Sequence, residues 1–565
     1  MVIVAVIVAA CVTIFANLLA DKKFWRLDLT KEGRYSLSEP FRNILSRLED
    51  KCQITYYVSD NGPPLFEHFK RDMLDKLHEI ETASNGKIKL TAVDPTENKE
   101  LRERLFKDGF QQEIQVPKKD QVVQALIFSG LEITYQDKPT VKVPFIYQAQ
   151  ELEYNIGSKI LELTLKKKPI IAVMVPPAPP APPMQMGRQP PGSGFEWIQQ
   201  GRWDQDKKFE VRSVDLTENS PIPPDAALFI MVRPKNLNER QKYEFEKYLA
   251  GGGKVLLLAS EFKVAYEFGW RVEKTPTSLE DYLKEVGVTL GQDFVADNMN
   301  LRIPFLNPFG EVEYQRAPVF IRIMPENIDQ ESVLTKLMPN LLVPSPSEIA
   351  LDTAKLTKNK LTSQILAKSS KQSWIIPFSE GINLTKEQEY DEEKQVYTGE
   401  RNVFVMLNGQ FPFPYEGKPA PPWDAPHGPP PAPDKDKKEE PKFEKKEGSL
   451  TIFSGPEAFH FLYMSSQDIG QYMRGNYLVI PNVAENFGLG DDLIRLRTKT
   501  YETRTIKSLG GSANDFKRWL LKFALYGGPA LLIFIFAAVW FTIRRVAQIK
   551  YERKYAATGP SSYTP

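Results

Sequence analysis

Two stretches of the chain, Val2 to Ala20 and Phe523 to Ile543, are uncharged and almost wholly apolar, and the residues between them contain no third run of that kind. Each is about as long as the roughly 20 helical residues that cross a hydrocarbon core of about 30 Å. The pattern predicts a large aqueous portion tethered to one membrane at both ends. Inside it, the periodicity shifts repeatedly between helix and strand. Phe41, Ile44, Leu45 and Leu48 share one face of a helix over Glu39 to Leu48, with Ser38 placed to cap it and Pro40 in its first turn. Gln53 to Ser59 reads as a strand, Phe66 to Ala83 as an amphipathic helix, and Lys87 to Asp94 as a second strand. Leu101 to Lys107 reads as a short helix, followed by a hairpin of Val122 to Phe128 with Leu131 to Tyr135.

Strand, helix, strand, helix and hairpin is the order of a thioredoxin-like α/β domain. The redox loop of such a domain would follow the first strand. Here that stretch is Ser59-Asp60-Asn61-Gly62-Pro63-Pro64, without cysteine, so oxidoreductase chemistry is not expected. A second α/β unit opens at Pro169 to Val175, a continuous apolar run typical of a buried parallel strand. A proline-rich loop, Pro176 to Pro191, comes next. Strands at Phe209 to Val214, Ala226 to Val232 and Lys254 to Ala259 then alternate with helices near Asn238 to Ala250 and Leu279 to Val286. This alternation predicts a doubly wound sheet, flavodoxin-like or class I glutamine amidotransferase-like. Residues 300–376 read as mixed, mainly β, without a resolved order. Val403 to Leu407 and Leu450 to Phe453 are strand-like, and Phe411 to Gly448 is rich in Pro, Lys, Glu and Asp, the composition of a disordered loop.

The predicted organisation is therefore α/β throughout. A first transmembrane helix occupies 1–20 and a juxtamembrane linker and helix 21–50. A thioredoxin-like domain covers 51–168, and an amidotransferase-like domain with a mixed β insert covers 169–410. The charged loop occupies 411–448, a return segment 449–516, a second transmembrane helix 517–545, and a tail 546–565. Arg544, Arg545, Lys550, Arg553 and Lys554 follow the second span with Glu552 as the sole opposing charge, which makes the tail cytoplasmic by the positive-inside rule. With two spans the central part then lies outside, in the periplasm of a bacterial inner membrane. Lys22, Lys23 and Arg26 argue weakly the other way. A retained anchor at Val2 to Ala20 is the favoured reading over a cleaved signal peptide ending near Ala20 or a lipoprotein box at Val8-Ala9-Ala10-Cys11.

Composition narrows the chemistry. With 73 Lys and Arg against 72 Asp and Glu, net charge is +1, so there is no electrostatic case for nucleic acid. Two cysteines and four scattered histidines leave no disulfide framework and no Cys/His zinc spacing. Neither a metal nor a cofactor is expected. Gly251-Gly252-Gly253-Lys254 is not a phosphate loop, because Tyr248 stands where the Walker pattern needs glycine and Val255 where it needs Ser or Thr. The glycines also lie between a helix and a strand, where they cap rather than cradle. A hydrolase reading would rest on Ser260, Glu261 and Asp215, but no histidine occurs between 79 and 426 to activate a serine. No catalytic residue is assigned. Open α/β sheets bind at the carboxyl ends of their strands, so the candidate partner- or ligand-binding face is formed by Arg233, Lys235, Ser260 and Glu261.

The order of segments resembles the GldG-type family, the gliding-motility-associated auxiliary components of ABC transporters. The match is carried by Arg26-Leu27-Asp28-Leu29-Thr30 with Tyr35-Ser36-Leu37-Ser38, then Val93-Asp94-Pro95, Leu152-Glu153-Tyr154 and Lys168-Pro169-Ile170-Ile171-Ala172. Pro224-Asp225-Ala226 through Pro234, Tyr248 to Lys254, and Asp492-Leu493-Ile494-Arg495-Leu496-Arg497 complete it. The resemblance implies a non-enzymatic, membrane-anchored subunit that works with a permease and, through it, a separate cytoplasmic ATPase. A structural scaffold for gliding, secretion or envelope assembly is the alternative, and self-association stays open. The proline-rich insert after Val175 and the loop near 412–448 depart from the family pattern.

Overall fold

The computed structural model describes residues 37–60, 62–118, 121–146, 148–178, 192–265, 271–306, 309, 311–379, 396–423, 443–465, 467–498, 522–523 and 527–556. The expected first span, Cys11, most of the loop up to Pro191 and the middle of the charged loop lie outside the described residues. The chain divides into two units, residues 1–500 and 501–565.

The first unit opens with α1 (Glu39–Ser46), β1 (Cys52–Val58), α2 (Pro64–Ala83), β2 (Ile88–Val93) and α3 (Lys99–Lys107). The side chain of Asn98 caps α3 by accepting the Leu101 N–H. β3 (Gln111–Lys118), β4 (Gln121–Tyr135), β5 (Val141–Val143) and α4 (Leu152–Thr164) follow. The sheet order is β2-β1-β4-β3, with β5 also on β4. β1 and β2 are parallel, while β4 runs antiparallel to β1, β3 and β5.

The expected hairpin within 122–135 is instead one continuous strand, β4, and the hairpin is β3–β4. Ser129-Gly130 does not turn the chain. Gly130 is required by close packing, since a Cβ there would collide with the Phe110 ring and the Pro144 carbonyl.

The second group of elements begins with β6 (Ile170–Met174), β7 (Glu210–Ser213), β8 (Ala226–Val232), α5 (Glu239–Ala250) and β9 (Lys254–Leu258). A reciprocal capping box between Asn238 and Gln241 starts α5. Gly251 closes it, and Gly252 takes the left-handed backbone (φ 98°) that turns the chain into β9. β10 (Phe262–Ala265), β11 (Arg271–Lys274), α6 (Glu280–Val286) and β12 (Val288–Asp297) come next. β13 (Asn300–Leu306), β14 (Val312–Ile323), β15 (Leu341–Pro344), β16 (Ser347–Leu351), α7 (Thr353–Lys358), β17 (Leu361–Lys368) and β18 (Ser373–Ile376) make residues 300–376 mainly β. β19 (Asn402–Gln410), β20 (Glu447–Phe453), α8 (Asn476–Gly488) and α9 (Asp492–Arg497) complete this unit.

Seven strands form the central sheet in the order β17-β19-β20-β9-β8-β6-β7. β7, β6, β8, β9 and β20 are parallel, and β19 and β17 are antiparallel additions at one edge. Numbered along the chain, the parallel strands lie 2-1-3-4-5, so the winding reverses between β6 and β8. Alternate residues of β8 enter different cores. Leu228, Ile230 and Val232 join Val479, Ile480 and Val483 of α8, whereas Phe229 and Met231 join Phe245 and Leu249 of α5. Burial on both faces explains the uninterrupted apolar runs of β6, β8 and β9. β12 with β16 and β18, β13-β14-β15, and the β10–β11 hairpin form three smaller sheets. Their core gathers Phe262, Phe294, Phe320 and Trp374.

In the second unit, α10 (Gly528–Ala556) contains Leu531–Lys554, a stretch long and apolar enough to cross a membrane. The helix does not stop at Arg545 but continues through the basic residues. Arg544 places its guanidinium 5.0 Å from the centre of the Trp540 ring one turn earlier, an aromatic–cationic pairing suited to a membrane–water boundary.

Candidate functional site at the carboxyl ends of the central sheet

Each parallel strand delivers its following residues to one end of the sheet. After β8, Arg233 turns with a left-handed backbone (φ 47°), and its N–H donates to the Leu258 carbonyl at 2.8 Å. Its guanidinium pairs with the carboxylate of Glu457 and lies 5.5 Å from the Phe195 ring centre. Glu457 sits in the turn Pro456–Phe459 after β20, is 1% exposed, and accepts the Val264 N–H at 3.0 Å. Desolvating such a pair costs several kcal/mol per ion unless further hydrogen bonds offset it. The Val264 amide supplies one of these.

After β9 come Ser260 and Glu261, both buried. Ser260 Oγ lies 3.2 Å from Ser347 Oγ and 3.3 Å from the Ser345 carbonyl, and it accepts the Phe262 N–H. Ser347 Oγ also accepts the Glu261 N–H at 3.0 Å. The Glu261 carboxyl takes a hydrogen bond from Gln292 Nε2 at 3.0 Å. Burial pushes its pKa above the ordinary carboxylate range, against the lowering hydrogen bonds of the Thr277 backbone and Gln292. After β6 the described chain resumes at Gly192. Trp197 Nε1 donates to the Phe459 carbonyl at 2.8 Å, and the Phe461 N–H donates to the Gly194 carbonyl at 2.8 Å.

Arg233, Ser260 and Glu261 all stand just past the ends of parallel strands, and their side chains are engaged within the body. Segments 345–347 and 456–461 cover them, and Lys235 is the exposed member of the four. Glu261 is not available to an external partner in this conformation, because its cover arrives from residues far away in sequence. Asp215 stands exposed beyond β7. The groups at Ser260 Oγ are another serine hydroxyl and a carbonyl, neither of which accepts a proton at neutral pH. His460 meets the Phe195 ring edge-on at 5.4 Å. The sequence reading missed Glu457 and Ser347. For Glu457 a signal existed, since Gly455-Pro456-Glu457 directly follows an apolar strand, as Ser260-Glu261 does.

A second locus unites the segments that carry the family resemblance. Ser38 donates through both N–H and hydroxyl to the Glu153 carboxylate, which also pairs with Lys76 at 3.2 Å. α1 and α9 run antiparallel on α4: Asn43 and Arg47 reach Asp492, while Phe41, Ile44 and Leu496 surround Gly157. Nearby, buried Glu485 of α8 bridges Lys208 at 2.8 Å and Arg497 at 3.2 Å. Burial alone would lower the Lys208 pKa, but the Glu485 carboxylate, with Tyr154 and Asp206, holds it well above the ordinary value.

These features describe an α/β body whose sheet-end crevice is filled by its own chain. A family model described as an ABC-type uncharacterized transport system matches residues 172–465. The chain belongs to this family of auxiliary components of ABC transport systems. A model for a domain of unknown function matches residues 31–134. An uncharacterized protein of Borreliella burgdorferi is 21% identical over 369 residues, 64% of this chain and 68% of that protein. Among solved structures, an IFT52 N-terminal domain aligns with 59% of this chain and 100% of its own length, at TM-score 0.29 and 11% identity. A ThuA-like protein from Bacteroides uniformis aligns with 58% of this chain and 96% of its own, at TM-score 0.28 and 10% identity. At those scores neither structural likeness carries an argument about fold or function.

Proposed function

We propose that the chain is a non-enzymatic, GldG-like subunit anchored in a bacterial inner membrane at both ends. In this reading the body lies in the periplasm, gathers a ligand or protein partner there, and couples it to a permease driven by a separate ATPase. The observation that carries the proposal is the family match over residues 172–465. A helix of spanning length, apolar in its first part and carrying Arg544, Arg545, Lys550, Arg553 and Lys554 towards its C-terminal end, supports the anchoring and its orientation. The 2-1-3-4-5 order of the parallel strands supports a flavodoxin- or amidotransferase-like module. The parallel β1–β2 pair with β4 antiparallel beside β1 supports a thioredoxin-like module, and the turn after β1 holds no cysteine for its redox chemistry. The strand-end face is its partner-binding side, with Lys235 as the accessible polar group and Arg233, Ser260 and Glu261 supporting it from within.

Purification of the tagged full chain in mild detergent tests the role. A permease and an ATPase should be recovered with it, and their absence under conditions that preserve other membrane complexes counts against it. The internal engagement of Ser260 and Glu261 favours one rival, a scaffold for gliding, secretion or envelope assembly without a transported ligand. A deletion strain with normal transport and defective envelope assembly would select that rival.

A further inference from the structure

The charged loop between β19 and β20 does not leave the body at once. Both of its described arms are fastened to α5. Phe413 and Tyr415 pack on Tyr243 with ring centres 5.5 and 5.3 Å away, and Phe443 from the returning arm packs at a tilt against Phe413 at 4.6 Å. Tyr415 donates its hydroxyl to Glu239 at 2.9 Å. Between these anchors runs Pro419-Ala420-Pro421-Pro422-Trp423, without helix or strand structure. The Arg240 guanidinium lies 4.5 Å from the Trp423 ring centre and 5.1 Å from that of Tyr243. The same group donates to the Pro421 carbonyl at 2.9 Å. Ala420 rests against the aromatic cluster, while Pro419 and Pro422 remain exposed.

This is the chemistry by which extended proline-rich segments are read. Prolines have no N–H, so their carbonyls need an outside donor, and their stiff backbone loses little entropy on aromatic docking. Arg240 supplies the donor and Tyr243 with its ring neighbours supplies the platform. Two of its three prolines, Pro419 and Pro422, stay exposed, which leaves the segment free to exchange. The tetrapeptide Pro-Ala-Pro-Pro seated here occurs twice more in the chain, at Pro177 to Pro180 and Pro180 to Pro183, in the insert that follows β6.

We propose that the Arg240–Tyr243 face of α5 is a Pro-Ala-Pro-Pro docking site, held closed by Pro419–Trp423 and taken over by the Pro177–Pro183 repeat of a second copy. This source rests on the anchored reading proposed above, in which like chains are confined to one membrane surface. The tethered segment meets its site at an effective concentration on the order of millimolar, which weakens any competitor.

The test uses the full chain in mild detergent and a fluorescent peptide with the sequence of residues 176–183. Wild type should bind it weakly. Trp423→Ala, which loosens the resident segment and leaves α5 intact, should bind at least about tenfold more tightly. A Pro421→Gly/Pro422→Gly variant should do the same if Trp423→Ala proves poorly folded. Arg240→Ala in either background should abolish binding. In parallel, Trp423→Ala should self-associate, and deletion of residues 177–183 should return it to the wild-type size. Failure of both loosened variants to bind the peptide, or binding that survives Arg240→Ala, overturns the site. Peptide binding with no size difference on deleting 177–183 overturns the second copy as its occupant.

Discussion

Glu246→Gln probes how the stability of the body depends on pH. Glu246 lies on α5 and is 5% exposed, and its Oε2 has no hydrogen-bond partner among the described groups. Burial pushes its pKa from 4.5 up to about 8, with Glu285 and Glu239 adding to the rise and Lys242 opposing it. The folded state therefore keeps a proton that the unfolded chain has released. Stability from this group is complete below about pH 4.5, declines as pH rises, and levels off above about pH 8. Each pH unit in that window is worth roughly 1.4 kcal/mol, so the penalty is roughly 3 kcal/mol at pH 7 and roughly 5 kcal/mol above pH 8. Glutamine preserves shape and removes the titration. Urea unfolding of the full chain, followed by tryptophan fluorescence at pH 5.5, 7 and 8.5, should show the variant gaining on wild type at each step. Curves that stay parallel across this range would refute the assignment of a neutral, buried carboxyl at Glu246.

Two further outcomes follow from other buried groups. Glu485→Ala leaves Lys208 and Arg497 without their shared counter-charge and should cost about 3–5 kcal/mol in urea unfolding, with part recovered by adding Lys208→Met. A loss below about 1 kcal/mol would show that water or Asp206 replaces the carboxylate. Cys52 is fully buried at the start of β1, and burial pushes its thiol up to about 11. In a Cys11→Ser background, maleimide should therefore leave the native protein unlabelled at pH 7.5 and react promptly in urea, whereas rapid native labelling would contradict the burial.

What was legible in the chain depended on how local its cause was. The strands over Ile170–Met174, Ala226–Val232 and Lys254–Leu258 are readable because a sheet covered on both faces demands unbroken apolar runs. α5 is readable because Asn238 and Gln241 write its start into four residues. β3 is not, since Gln111 to Lys118 contains few apolar residues and a proline, and it is a strand through its pairing with β4. Ser129-Gly130 reads locally as a break, yet the glycine answers to Phe110 and Pro144 across the fold. The same limit governs the site. Strand ends locate Arg233, Ser260 and Glu261 along the sheet, but their covering residues, Ser345, Ser347 and Glu457, come from distant parts of the chain.

The antiparallel pairing of α1 with α9 has a mechanical meaning. Asn43 and Arg47 meet Asp492, and Phe41 shares the Gly157 surface with Leu496, so the chain enters at Leu37 and leaves after Thr498 from the same end of that helix pair. Tension applied between these two points is borne by a short bridge of three helices and the Ser38–Glu153 contact. It does not run through the central sheet. Traction applied at Leu37 and Thr498 would therefore open this clasp before stretching a strand.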